Sequence, residues 1–203
     1  MLHYLISFLA GYLIGSIPTA FLVVKRKSGI DIQVAGSGKV GAFNTFSVTR
    51  SKFLGIFVGL LDGLKGFVVV WLALHVFDEP FWVGAVGMTG AIIGHMFSFW
   101  LKGKGGRGLA TTAGAWFGIG ISYTIVWCLS WLLFNRWKKD IVTANVLSTL
   151  FTPFALWLFP PFWLDVFMVS QISVEDYRIF AWVISVVLFI SHADVIRGFM
   201  RKE

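Results

Sequence analysis

The chain has 203 residues, 57% of them hydrophobic and only 13% charged, with 21 Phe and 10 Trp, whereas a soluble domain carries about 25% charged residues. Together with a mean hydropathy of +0.81, this excludes a water-soluble enzyme and reads as a single all-α integral membrane domain over residues 1–203. The formal net charge of +7 calls for no nucleic acid, because polytopic membrane proteins gather Lys and Arg at their cytoplasmic edge.

Residues 1–16 lack a basic n-region, and the apolar run continues to Val24 before Lys25, Arg26 and Lys27 stop it. The first element therefore reads as one spanning helix, not a cleaved signal peptide. Further apolar stretches cover residues 53–77, 81–101, 109–134, 141–159 and 177–192. Counted as six crossings, they place Arg136, Lys138 and Lys139 outside, against the bias that keeps basic loops in the cytoplasm. Reading 109–134 as two short helices, turning at Gly118, Gly120 and Ser122, removes the conflict. At about 13 residues each, these helices reach only ~20 Å and need shelter from their neighbours.

The expectation is thus seven helical segments, with the N-terminus outside and the C-terminus cytoplasmic. Every Lys and Arg except Lys65 and Arg178 then faces the cytoplasm, while Asp165, Glu175 and Asp176 fall outside. Cys128, the single cysteine, lies in an apolar run and reads as a buried inert thiol. Pro160 and Pro161 end the sixth helix, and residues 162–169 read as an interfacial apolar piece.

The strongest local signal is Lys102, Gly103, Lys104, Gly105, Gly106, Arg107 and Gly108, leading into Leu109, Ala110, Thr111 and Thr112. Glycines here let backbone amides turn inward as an anion nest, with cations around them and a helix N-terminus behind. The GxxxxGK[ST] order is absent, which disfavours nucleotide hydrolysis. A plain basic turn would explain the cations but not so many glycines. A second small-residue segment runs from Ala35 through Gly36, Ser37, Gly38, Lys39, Val40, Gly41, Ala42 and Phe43 to Asn44, in the first cytoplasmic loop. Ser37, Lys39 and Asn44 can hydrogen-bond an oxyanion or a polyol, although by itself the segment also reads as a linker.

Asp62 and Lys65 are three residues apart on one helical face and can neutralise each other. Ionisable groups in a spanning segment face a cavity or a partner, and a purely structural ion pair fits them equally well. His95 and His192 both sit near inner helix ends. No metal-ligand cluster and no cofactor motif is read.

In this order, the residues resemble the PlsY family of acyl-phosphate:glycerol-3-phosphate acyltransferases, small bacterial membrane enzymes. The resemblance runs through Gly15, Ser16, Ile17 and Pro18; Gly36 to Asn44; Asp62, Lys65 and Gly66; Gly94, His95, Met96 and Phe97; Lys104 to Thr111; and His192 to Arg197. It implies seven membrane helices, and transfer of a fatty acyl group from acyl phosphate to the 1-hydroxyl of glycerol 3-phosphate, without metal or coenzyme. Ser37, Lys104 and His192 then take catalytic roles. Gly38, Lys39, Gly41, Asn44, Gly105, Gly106, Arg107, Gly108 and Thr111 bind substrate, and Asp62, Lys65 and His95 support the site. The resemblance further implies a monomer in the bacterial inner membrane, with its site facing the cytoplasm.

The chain also departs from the family pattern. Lys39, Phe43 and Ser47 stand where the first motif has Asn, Thr and Arg; Arg107 replaces a lysine; Val195 replaces an Asn. The terminal glutamate is matched only by Glu203, and a hydroxyl expected after the 136–139 loop is matched only by Thr143. Lys39, Arg50 and Lys52 are the cations near the lost arginine. A divergent membrane protein that binds or transports a phosphorylated lipid or metabolite is the alternative function. Internal repeats and midplane polar groups would mark a transporter, and the polar groups here gather at one edge.

Overall fold

A computed structural model describes residues 1–169 and 172–200; Glu203 lies outside these. The described residues are helical: α1 (Leu2–Ser16), α2 (Thr19–Ser28), α3 (Ala42–Thr49), α4 (Lys52–Trp71), α5 (Phe81–Met96), α6 (Leu109–Ile119), α7 (Ser122–Lys138), α8 (Ile141–Leu158), α9 (Pro161–Val166), α10 (Val174–Ile190) and α11 (Ala193–Met200). α4 continues as a π-helical turn over Leu72–Val76. Four stretches, Leu2–Ser28, Lys52–Val76, Phe81–Leu101 and Ile141–Leu158, are long and apolar enough to cross a membrane.

The chain forms two compact units, Met1–Ala115 and the remainder from Trp116 onward. In the first unit, α1 lies directly on α5. A Cβ on Gly15 would stand 2.0 Å from the carbonyl oxygen of Ala91, and one on Gly94 2.2 Å from that of Tyr12. The two backbones therefore touch, as small residues permit in helices that lack a hydrophobic drive to associate. Gly66 of α4 likewise meets the carbonyl of Thr111, where a Cβ would come within 2.0 Å.

The first spanning element is not one continuous helix. It breaks at Ile17 and Pro18, because Pro18 has no N–H to extend the ladder, and it resumes as α2 through Lys25, Arg26 and Lys27. The first loop is not wholly irregular either: Ala42–Thr49 is helical, entered from an extended Gly41.

In the second unit, the turn expected within 109–134 is present, with α6 ending at Ile119 and α7 starting at Ser122. The two halves are unequal, at 11 and 17 residues; at 1.5 Å per residue these are ~16 and ~25 Å long, so α6 alone is markedly short. Tyr177 stabilises the break: its hydroxyl donates to the Gly120 carbonyl at 3.0 Å and accepts from the Tyr123 amide at 2.8 Å. Residues 167–169 hydrogen-bond alongside, through Ile121 N–H to the Phe167 carbonyl and Val169 N–H to the Ile119 carbonyl. Trp116 packs against the rings of Tyr123, Tyr177 and Phe180.

Arg178, the basic residue that the charge pattern left outside, closes the end of α8. It donates to the carbonyls of Leu156 at 3.1 Å and Phe159 at 2.6 Å, which helix geometry leaves without partners. Cys128 is exposed on α7, not buried; an outward helix face in a membrane protein meets lipid, where a small apolar thiol is at home. The apolar piece after Pro160 folds as α9, ending at Val166.

Candidate active site

The two glycine-rich segments meet in the first unit. The Val40 amide donates to the Gly105 carbonyl at 3.1 Å, and the Gly106 amide donates to the His95 carbonyl at 3.0 Å. His95 stands at the end of α5, where helix carbonyls lack intrahelical partners, so the turn docks on that end. Glycine is required by contact here. A Cβ on Gly105 would lie 2.1 Å from the His95 carbonyl oxygen, and one on Gly106 2.2 Å from His95 Nε2 and 2.6 Å from the Val40 carbonyl oxygen.

The Lys102–Gly108 loop enters through Lys102 and Gly103 in the left-handed region and leaves through Gly108 at φ 79°. The Gly108 carbonyl accepts from the Thr112 amide at 2.8 Å and starts α6. The amides of Leu109 and Ala110 thus stand at the helix N-terminus without intrahelical acceptors, and these, with the helix dipole, favour an anion. Lys104 is exposed and Arg107 half-buried at this end.

Asn44 shapes the opposing loop. Its Oδ1 accepts from the Ser37 amide at 3.0 Å, and its Nδ2 donates to the carbonyls of Lys39 at 2.9 Å, Ala35 at 3.0 Å and Ile32 at 3.3 Å. With its side chain committed to the backbone and 3% exposed, Asn44 holds the loop and does not present itself to a ligand. The same loop leaves Ser37 exposed and Gly38, Lys39 and Gly41 half-buried, while Phe43 lies half in the open on α3. Thr111, read as substrate-binding, is fully enclosed, with its carbonyl against Gly66.

Behind the loops lies an ionic cluster. Asp62 and Lys65 of α4 are 1% and 7% exposed, and Lys65 Nζ sits 2.7 Å from Asp62 Oδ1. Lys65 also donates to the Ile17 carbonyl at 2.7 Å, and Thr19 donates its hydroxyl to the same carboxylate oxygen. His95 Nδ1 lies 3.6 Å from Asp62 Oδ1. These groups border a cavity of about 10 Å³, which Ser16, Ser98, Val40 and Gly105 also line. Residue spacing predicted the Asp62–Lys65 pair, but not the contributions of Ile17, Thr19, Ser98 and Val40. Pro18 was the available signal, since a proline inside an apolar run marks a break that frees carbonyls for side-chain donors.

His192 belongs to the second unit, between α10 and α11, and is fully buried. Its Nδ1 faces the Leu188 carbonyl at 2.8 Å, an acceptor that fixes the ring proton on Nδ1 in the neutral imidazole. No group of three or more His, Cys, Asp or Glu side chains able to hold a metal occurs among the described residues.

Comparisons with known proteins show which family the chain resembles. A family model described as glycerol-3-phosphate acyltransferase matches residues 5–202. The glycerol-3-phosphate acyltransferase of Pelagibacter ubique is 33% identical over 204 residues, covering all of this chain and 96% of its own. That of Erythrobacter litoralis is 35% identical over 154 residues, 76% of each chain. Two crystal structures of PlsY, an integral membrane glycerol 3-phosphate acyltransferase, superpose with TM-scores of 0.79 and 0.78 at 28% identity, covering 98% of this chain and 92% of that one; they are its glycerol 3-phosphate and lysophosphatidic acid forms. By sequence over nearly its whole length and by fold, this chain belongs to the glycerol-3-phosphate acyltransferase family of integral membrane enzymes.

Proposed function

We propose that the protein transfers a fatty acyl group from acyl phosphate to the 1-hydroxyl of glycerol 3-phosphate, forming lysophosphatidic acid and inorganic phosphate for phospholipid synthesis. The observation that carries this reading is the hydrogen bond between Val40 and Gly105, which joins two anion-suited glycine loops side by side. Both substrates carry phosphate, and two adjacent polar loops are what such a pair requires.

In the reaction, the glycerol hydroxyl oxygen bonds to the acyl carbon, the bond from that carbon to the phosphate oxygen breaks, and the hydroxyl proton leaves with the phosphate. Phosphate departs readily, so holding the reactants together and stabilising the developing oxyanion supply most of the acceleration. Lys104 and Arg107, with the first amides of α6, neutralise one phosphate. Ser37, Lys39 and the backbone at Gly38 and Gly41 hold the other phosphate or the polyol. His192 takes the remaining role that the resemblance implies, to orient or polarise the reacting groups.

The same reading takes the chain as one polytopic domain and a monomer in the bacterial inner membrane. Its seven membrane segments are α1 with α2, then α4, α5, α6, α7, α8 and α10, with the N-terminus outside and the two glycine-rich loops and the C-terminus in the cytoplasm. The deciding experiment is phosphate release by the protein in lipid vesicles, given palmitoyl phosphate with and without glycerol 3-phosphate. Acceptor-dependent release that is lost in Lys104→Ala is the expected result. No release, while a family member with intact motifs turns over, would instead favour the binding or transporting alternative.

A further inference from the structure

Among the ionisable groups behind the loops, His95 lies against the Gly105–Gly106 turn itself. Its carbonyl holds the Gly106 amide, its Nε2 lies directly under Gly106, and its Nδ1 faces Asp62. Asp62 is in turn held by Lys65 and Thr19, and Lys65 is anchored on the Ile17 carbonyl. The ring is thus confined between a backbone turn and a carboxylate that cannot move independently. Since Gly105 carries the bond to Val40, any shift of the turn changes the separation of the two loops.

We infer that His95 is a positioning residue for the acyl transfer: braced by Asp62 and Lys65, it fixes the Gly105–Gly106 turn and with it the distance between the two phosphate-holding loops. This rests on the transferase reading above. A ring held for this purpose contributes to substrate placement more than to bond making, because it meets the loop's backbone and not the reacting atoms. Small displacements of positioning groups carry large costs in rate or affinity.

The test uses the full chain in lipid vesicles, with KM measured for each phosphorylated substrate, kcat, and the unfolding midpoint. His95→Ala is expected to raise KM for at least one of the two substrates about tenfold, with kcat within threefold and the unfolding midpoint near that of the wild type. His95→Asn, which keeps a nitrogen near the Nδ1 position facing Asp62, is expected to recover most of that loss. Gly106→Ala approaches the same contact from the other side, since its methyl would meet Nε2. The His95→Ala/Gly106→Ala double variant should therefore be little worse than Gly106→Ala alone.

A fall in kcat at unchanged KM would overturn the inference, as would effects of the two substitutions that simply multiply, or activity lost only in step with the unfolding midpoint and not recovered by Asn. Should His95→Ala fail to fold, Gly106→Ala carries the comparison: an unchanged KM there, with active wild type, overturns the inference. A wild type without acyl transfer refutes the transferase reading instead, so the two failures are told apart.

Discussion

The ammonium of Lys65 stands 2.7 Å from the main-chain oxygen of Ile17, across 48 residues of sequence. Pro18 interrupts the first helix, and the Ile17 carbonyl, which takes the Thr19 amide at 3.0 Å in place of a helical partner, is also met by a cation that neutralises Asp62. A break in one element and an ion pair in another are therefore one structure, and the pair is more than a local accommodation of two charges on α4.

Because Asp62 and Lys65 are both buried, removing either leaves a charge without compensation, at a cost on the order of 3–5 kcal/mol. Asp62→Asn and Lys65→Met should each lower the unfolding midpoint sharply in detergent. The double variant should recover a large part of that loss, a non-additivity that a double-mutant cycle measures. Equal and additive losses would show that the two residues do not act as a pair.

Asn44→Ala should destabilise the first loop by about 2–3 kcal/mol, through loop carbonyls and an amide left without their partners. Asn44→Asp keeps the acceptor for the Ser37 amide but loses the Nδ2 donors, so it should not rescue. Both variants should raise KM for a phosphorylated substrate, and kinetics at saturating partner substrate would read this out.

Tyr177→Phe removes one hydroxyl that serves both the Gly120 carbonyl and the Tyr123 amide. The expected cost is about 1–3 kcal/mol, the range for stranding a buried polar group. Faster hydrogen exchange confined to the amides around residues 120–123 is the signature, and unchanged protection there would refute the role.

Glycines should differ sharply in tolerance. Gly94→Val forces a side chain into the carbonyl of Tyr12 and should destabilise α1 against α5 by at least ~3 kcal/mol, at or beyond the upper end of typical overpacking. Gly41→Ala meets nothing within 4 Å and sits in extended backbone at φ −169°, so its unfolding midpoint should match that of the wild type.

Much of this was legible beforehand, for specific reasons. Charge placement demanded a turn within 109–134, and the helices do part between Ile119 and Ser122. Glycine density marked both loops, and the spacing of Asp62 and Lys65 marked their pairing. The break at Pro18 was hidden because the apolar run carries on through it, and hydropathy alone does not register a missing N–H. The helix over Ala42–Thr49 was hidden by its shortness and by the glycines before it. The role of Asn44 depends on four backbone partners brought together only by the folded loop, and that of His95 on a turn that follows it in sequence; neither leaves a periodic trace. Cys128 was misplaced because apolar surroundings in a membrane chain do not distinguish a protein interior from a lipid-facing side.

The backbone contact between α1 and α5 also bears on how the chain is made. The first helix has its closest partner in a segment that leaves the ribosome only after some 80 further residues have been synthesised. Until then, the glycine face around Gly11 and Gly15 has nothing to lie against, and the loop shaped by Asn44 has no opposing turn. Arrival of α5 closes the helix pair and, through His95 and Gly105, brings the second loop to the first within the next ten or so residues. Completion of the helix pair and juxtaposition of the two loops are thus one event within the first unit, so a chain halted before α5 carries one loop and none of the architecture that sets it against the second.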